Sequence, residues 1–437
     1  MAKLQQRDPL HCIAALRTEY KNCFLLESAT PGKFRLNRYS FLGFDPELLI
    51  EIKNGVARVN GKEQNIENPF EFLKEISNAN RCESKLPYAG GLVGYVGYDA
   101  IRYIEEIPDN CKDDLNLPDM KFGLYKEGVV IDRFANCAYY FSFGKYRAEE
   151  VEKVLGKEVL VENGAKVGSI KSNSTKEQFE QNVGIAKERL RQGEIFQVVL
   201  SQRFDVESEL DPLVFYARLR SINPSNYMFY LDFDTKIVGA SPESLVRVSE
   251  NKIETNPIAG TRPRGKTEEE DAKLAKELLA DPKENAEHIM LVDLGRNDIG
   301  KVAKFGTVEV PEYKNVEKYS HVQHIVSRVT GELRKGKDVF DGFKATFPAG
   351  TLTGAPKVRA MEIIDELENT KRGPYGGCVG YFSANGNMDF AIAIRTAIIQ
   401  DNVYRIQAGA GIVMDSDPEQ EHEECRHKAD ALVEALQ

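Results

Sequence analysis

Cys378-Val379-Gly380-Tyr381-Phe382-Ser383-Ala384-Asn385-Gly386-Asn387-Met388-Asp389-Phe390-Ala391-Ile392 is the stretch from which the fold class can be read. It joins two apolar-rich runs, 376–385 and 388–399, through Asn-Gly-Asn. An Asn-Gly pair between β-type runs signals a hairpin, because both residues tolerate positive φ. Further strand patterns stand at 239–250 and 403–413. Amphipathic helices are expected at 268–281, 283–294, 355–368 and 418–435. Hairpins beside helices, without a regular βαβ alternation, indicate an α+β fold. Upstream, 174–177 reads as a capping box before Phe179, Val183, Ala186 and Leu190 at helical spacing, with Gly193 as the stop. Ile195, Gln197, Val199 and Ser201 then share one strand face, and Phe196, Val198 and Leu200 the other. Residues 1 to about 150 hold short β-like runs such as 122–125 and 138–143, and 148–176 reads as a short helix and connector. These patterns divide the chain into 1–165 and 172–437.

The 437 residues are 42% hydrophobic and 29% charged, enough for a large core and too apolar for a disordered chain. No apolar run approaches the roughly 18 residues of a membrane helix, and residues 1–9 are polar, so neither a membrane span nor a secretory signal is expected. Lys and Arg number 58 against 68 Asp and Glu, a net charge of −10. Nucleic-acid binders normally carry a basic surplus, so no nucleic-acid partner is expected. A small anion can still be held by a local positive pocket. Cysteines stand at Cys12, Cys23, Cys82, Cys111, Cys137, Cys378 and Cys425, without a CxxC pair. That spacing signals neither zinc nor a disulfide framework and suits reduced thiols in the cytoplasm.

The residues that could carry chemistry lie mostly in the second half. Glu284 and Glu287 follow the helix start at Pro282, and Glu421 and Glu424 lie on the last helix. Each pair is spaced i, i+3 and so shares a helix face. Four carboxylates from two helices could hold a hard divalent cation such as Mg²⁺, although one such pair alone is more often a solvated face. Arg262 and Arg264 in 257–265 could receive an anion or belong to an ordinary surface loop. Ala408-Gly409-Ala410-Gly411 would let a carboxylate approach backbone N–H groups, but it is not a dinucleotide fingerprint. Residues 350–357 fail the Walker spacing. His321 and His324 lack a third zinc ligand in HExxH fashion, which leaves His324 as a proton donor or substrate orienter. Glu243, in the turn of Ala240-Ser241-Pro242-Glu243-Ser244, would serve as a general acid if buried.

The order of these motifs is more specific than any one of them. Residues 194–203, the Ala-Ser-Pro-Glu turn, 257–265, 287–298, 350–357 and 407–411 together resemble the chorismate-utilising enzymes. Across nearly the whole chain the sequence closely resembles the large subunits (component I) of anthranilate synthases. The resemblance implies a large α/β sandwich with antiparallel sheets and outer helices. It implies a lyase at the first step of tryptophan biosynthesis: ammonia adds to chorismate at C2, the C4 hydroxyl departs, and pyruvate is lost. Glu287 and Glu424 match direct Mg²⁺ ligands, with Glu284 and Glu421 behind them through water. Glu243 matches the general acid, and His324 the histidine that orients the C4 hydroxyl or assists pyruvate loss. Gly260, Thr261, Thr351, Tyr375, Arg395, Gly409, Ala410 and Gly411 match substrate-binding positions.

Two positions sort the subfamilies by resemblance. Gln197 stands where the water-adding relatives have Lys, which favours ammonia as nucleophile. Ala259 stands where many aminodeoxychorismate synthases have Lys, although some of those also carry Ala, so their large subunit remains the alternative. Residues 25–29, 37–41 and 223–229 resemble a tryptophan feedback site, placing Ser28, Asn226, Tyr227 and Met228 against the inhibitor. Asn226 replaces a frequent family Pro. Most of this site would belong to 1–165, and chorismate binding to 172–437. No Gly-x-Cys-x-Gly turn surrounds a cysteine, so the resemblance implies a separate glutamine amidotransferase subunit (component II) in a heterotetramer.

Overall fold

The computed structural model describes residues 1–30, 38–159, 164, 167–319 and 322–437. The hairpin forms as expected: Cys378–Ser383 pairs antiparallel with Met388–Ile392, Gly380 opposite Phe390 and Phe382 opposite Met388. Ser383 N–H donates to the Asn387 carbonyl at 2.8 Å and closes the turn.

The hairpin sits within one of two 12-stranded sheets. The first sheet runs Ala2–Leu4, Cys137–Ser142, Glu127–Asp132, Tyr39–Gly43, Phe24–Glu27, Tyr227–Leu231, Lys236–Ser241, Thr396–Gln400, Val403–Ile412, Gln197–Ser208, Val167–Ser172, with Gly354–Ala355 beside the start of Gln197–Ser208. The second runs Ile258–Pro263, Val322–Glu332, Lys252–Thr255, Ser244–Ser249, Met388–Ile392, Cys378–Ser383, Gly91–Val96, Met120–Tyr125, Leu48–Lys53, Val56–Val59, Lys62–Asn65, with Glu309–Lys318 on Val322–Glu332. Both sheets draw strands from 1–165 and from 172–437.

Alternating side chains explain the layering. Phe24, Phe41, Phe229 and Ile237 of the first sheet meet Val93, Tyr95, Val379 and Tyr381 of the second in one aromatic-rich core. Leu25 points the other way, into a core shared with the helices Pro9–Glu19, Ala148–Leu155 and Pro212–Ile222. The helices Pro69–Ala79, Val339–Thr346 and Lys357–Leu367 share a third core with strands of the second sheet. The expected sandwich with outer helices is therefore present. Burying one Phe or Leu side chain contributes roughly 1.5–3 kcal/mol, so all three cores stabilise the sandwich.

Several boundaries differ from the sequence expectation. The run 239–250 is two strands in different sheets, Lys236–Ser241 and Ser244–Ser249, broken where Pro242 lacks a ladder donor. The run 388–399 is likewise Met388–Ile392 and Thr396–Gln400 in different sheets, broken at Arg395 with φ +50°. The capping box is Thr175 with Gln178, one residue later than the expected pattern. The helix expected at 283–294 is Pro282–Gly300.

Candidate active site

Glu243 and Arg395 lie where the chain crosses between the sheets. The Ile392 N–H donates to the Glu243 carbonyl at 3.0 Å, and the Ala240 N–H to the Arg395 carbonyl at 3.0 Å, so the crossings brace one another. Glu243 is 9% exposed as a residue and lines a cavity with Leu245, Pro257, Leu291, Leu294 and Thr351. Burial among these mostly apolar neighbours pushes its carboxyl up to about 8, although the Thr351 hydroxyl, 3.0 Å away, and the Lys428 charge oppose the shift. At neutral pH it is a carboxylic acid with a proton to give.

His324 stands on Val322–Glu332 opposite Thr261, across a bulge between Ala259 and Thr261. Gly260 fills the bulge with φ +71°, where a Cβ would meet Leu278 Cδ1 at 3.0 Å and Glu284 Oε2 at 3.1 Å. The bulge presents the Gly260 carbonyl 2.8 Å from His324 Nδ1, and the Thr261 hydroxyl is 3.2 Å away. A carbonyl only accepts, so this contact assigns the proton to Nδ1 and leaves Nε2 with its lone pair. Burial holds the ring below the usual histidine range, the Gly260 bond opposes this, and the Arg395 charge adds to it. The result is a neutral base.

The four carboxylates lie near the starts of two helices. Asp281 caps Pro282–Gly300, accepting from Lys283 and Glu284 N–H, and Asp417 caps Pro418–Leu436. Glu287 accepts from Gln197 Nε2 at 3.2 Å. Burial raises its carboxyl above the ordinary range, and Glu284 adds repulsion. Glu421 is also raised, by burial first and then by Glu424. Lys283 acts on Glu421, and Lys428 acts on Glu287, so the two helix starts share one electrostatic field. Glu284 is paired with Arg262 at 3.1 Å and Glu424 with Lys428 at 2.7 Å. Among the described residues, no group of three or more His, Cys, Asp or Glu converges closely enough to hold a metal ion.

Lys428 was not singled out in the sequence, yet its charge acts on several carboxylates of this region. Its ammonium donates to the Gly409 carbonyl at 2.9 Å and lowers the carboxyls of Glu243, Glu287 and Glu421. The available signal was its position four residues after Glu424, on the same helix face. Arg395 Nη1 donates to the Lys428 carbonyl at 2.7 Å. Gly409, Ala410 and Gly411 lie opposite Ser201, Leu200 and Val199. A Cβ on Gly411 would sit 2.6 Å from Gln197 Nε2, and one on Gly409 would sit 2.9 Å from the Tyr375 hydroxyl. These glycines therefore make room for Gln197 and the buried Tyr375. Arg372, fully buried, braces this wall by donating to the carbonyls of Leu352 at 2.7 Å and Val199 at 2.8 Å. Arg262 and Arg264 are committed to protein partners, Asp281 and Glu284 for the first and Asp271 for the second. The anion-receiving role considered for them is not supported.

A separate cavity brings together Ser28, Asn226, Tyr227 and Met228 with Glu27, Tyr39, Phe41, Arg247 and Asp389. Phe24–Glu27 and Tyr227–Leu231 are neighbours, with Met228 opposite Glu27. Asn37 and His321 lie outside the described residues.

The model of a family described as chorismate binding enzyme matches residues 21–434. The chain is 47% identical to the anthranilate synthase component 1 of Methanothermobacter marburgensis, over all of this chain and 94% of that protein. It is 48% identical to the protein of that name in Acetivibrio thermocellus, over 95% of this chain and 90% of the other. The crystal structure of anthranilate synthase component I from Streptococcus pneumoniae superposes with a TM-score of 0.83 at 41% identity, covering 92% of this chain and 93% of that one. The menaquinone-specific isochorismate synthase of Escherichia coli superposes at 0.75 with 20% identity, covering 99% and 92%, a likeness of fold alone. The chain belongs to the chorismate binding enzyme family, and within it resembles the members named anthranilate synthase component 1.

Proposed function

We propose that this chain is the large subunit of an anthranilate synthase. It converts chorismate and ammonia to anthranilate, pyruvate and water. The observation that carries the choice of nucleophile is the Gln197 amide, 3.2 Å from Glu287 on the wall of the site. An amide is no base for water, whereas ammonia arrives as a nucleophile needing no deprotonation before attack. Glu243 protonates the departing C4 hydroxyl, which leaves as water while ammonia bonds at C2. His324, with Nε2 unprotonated, then takes a proton as the ring becomes aromatic and pyruvate departs. Arg395 and the Gly409–Gly411 backbone hold the carboxylate of the enolpyruvyl group.

The donor chemistry at the two helix starts suits Mg²⁺, since all four groups are carboxylates, although among the described residues no three of them stand close enough to ligate one ion together. Glu287 and Glu424 would hold the ion, with Glu284 and Glu421 behind them. Bound Mg²⁺ would neutralise the ring carboxylate of chorismate. Ammonia comes from glutamine through a separate amidotransferase subunit in a cytoplasmic heterotetramer, and free ammonium replaces it in vitro. Tryptophan binds the cavity lined by Ser28, Asn226, Tyr227 and Met228 and inhibits the reaction.

Gln197→Lys tests the choice of nucleophile. A Lys there brings an ammonium beside Glu287 and a group able to activate water. Ammonia-dependent turnover is expected to fall by about tenfold or more, on the scale of one misplaced general base. Unchanged ammonia-dependent kinetics in the variant would remove Gln197 from the argument.

A further inference from the structure

We propose that Tyr319 is a positioning residue that couples occupancy of the cavity lined by Ser28 and Asn226 to the orientation of the His324 imidazole. The inference rests on reading that cavity as the tryptophan site. Asn226 spans the two regions. Its Oδ1 accepts from the Thr30 hydroxyl at 3.2 Å, and Thr30 lies 3.1 Å from the Ser28 hydroxyl. Its Nδ2 donates to the Tyr319 hydroxyl at 3.4 Å. The Tyr319 ring lies edge-on to the His324 ring, centroids 5.3 Å apart. The other side of His324 is held by the Gly260 carbonyl at 2.8 Å. The imidazole is thus oriented at Nδ1 by the Gly260 carbonyl and the Thr261 hydroxyl and by one aromatic ring packed edge-on, and that ring is tethered to the cavity wall.

This tether has the features of a two-position device. At 3.4 Å the Asn226 bond is at the long end of hydrogen bonding and exchanges easily. The Tyr319 hydroxyl also donates to Glu317 Oε2 at 3.0 Å, so it keeps a partner when Asn226 turns away. An amino acid in the cavity brings an ammonium and a carboxylate, and both compete for the Asn226 amide. Drawing Asn226 toward the ligand releases Tyr319 toward Glu317 and lets the His324 ring follow. A competing route exists through the strand Tyr227–Leu231, which pairs with Lys236–Ser241 just before Glu243. Coupling by that route would not need the Tyr319 hydroxyl.

The test compares wild type, Tyr319→Phe and Tyr319→Ala, with ammonium as nitrogen source. Tryptophan binding is measured by calorimetry, and kcat and KM by steady-state kinetics. Tyr319→Phe keeps the ring and deletes the tether. Tryptophan is expected to bind it within about threefold of the wild-type Kd, while inhibition at saturating tryptophan weakens at least about fivefold, the low end of usual coupling factors. Tyr319→Ala also removes the ring and is expected to lower kcat about tenfold, with KM moving much less. A purely structural role would not separate binding from inhibition. Tyr319→Phe inhibited as fully as wild type at the same Kd would overturn the inference alone. Absence of tryptophan binding by the wild-type chain would overturn the reading of the cavity, and the inference with it.

Discussion

Glu243→Gln is expected to lower kcat by about 10³-fold while leaving KM for chorismate within a few fold, because general-acid catalysis contributes about 10²–10⁴. The substitution is nearly isosteric, and the amide oxygen can still accept from the Thr351 hydroxyl now 3.0 Å away. The fold therefore loses little and the reaction loses its proton. A pH profile makes the prediction sharper. The carboxyl is pushed up to about 8 by burial, so the acid form predominates below that pH and disappears above it. Wild-type kcat/KM should fall through an alkaline limb near pH 8, about tenfold per unit beyond it, and Glu243→Gln should lack that limb. A Glu243→Gln enzyme with wild-type kcat would assign the proton to another group.

Glu424→Gln has the second largest expected effect, a loss of about 10²-fold in kcat/KM. It removes one anionic donor from the four-carboxylate group and frees Lys428, now 2.7 Å from Glu424. Lys428 would then turn to Glu287 and Glu421, whose carboxyls already respond to it, and would occupy charge intended for Mg²⁺. The Mg²⁺ concentration giving half-maximal activity should rise together with the loss. Chelation of Mg²⁺ from the wild-type enzyme should abolish turnover reversibly. Near-normal turnover of Glu424→Gln with unchanged Mg²⁺ dependence would displace Glu424 from the metal-binding set.

The helix starts were legible because their signals are local. Asp281-Pro282 and Asp417-Pro418 give a cap and a first helical residue, and each carboxylate pair follows within two turns. The hairpin at Asn385-Gly386 was legible for the same reason. The sheet crossings were not. Residues 239–250 and 388–399 keep a β-type pattern through Glu243 and Arg395, and nothing local tells two sheets from one. Those two breaks are what place an acid and a cation at the junction of the sheets. The Gly260 bulge escaped detection because its partner, His324, lies 64 residues away. Arg262 and Arg264 looked available for an anion because their partners, Asp281 and Asp271, come from other elements. Lys428 was passed over because the partner that places it, the Gly409 carbonyl, belongs to a strand 19 residues away.

A product assay tests the central claim most directly. The purified chain would be mixed with chorismate, Mg²⁺ and ammonium at mildly alkaline pH, without an amidotransferase subunit, and the products identified by fluorescence and mass. The expected result is anthranilate and pyruvate in equal amounts, suppressed by tryptophan. Accumulation of 4-amino-4-deoxychorismate, or of isochorismate, would contradict it.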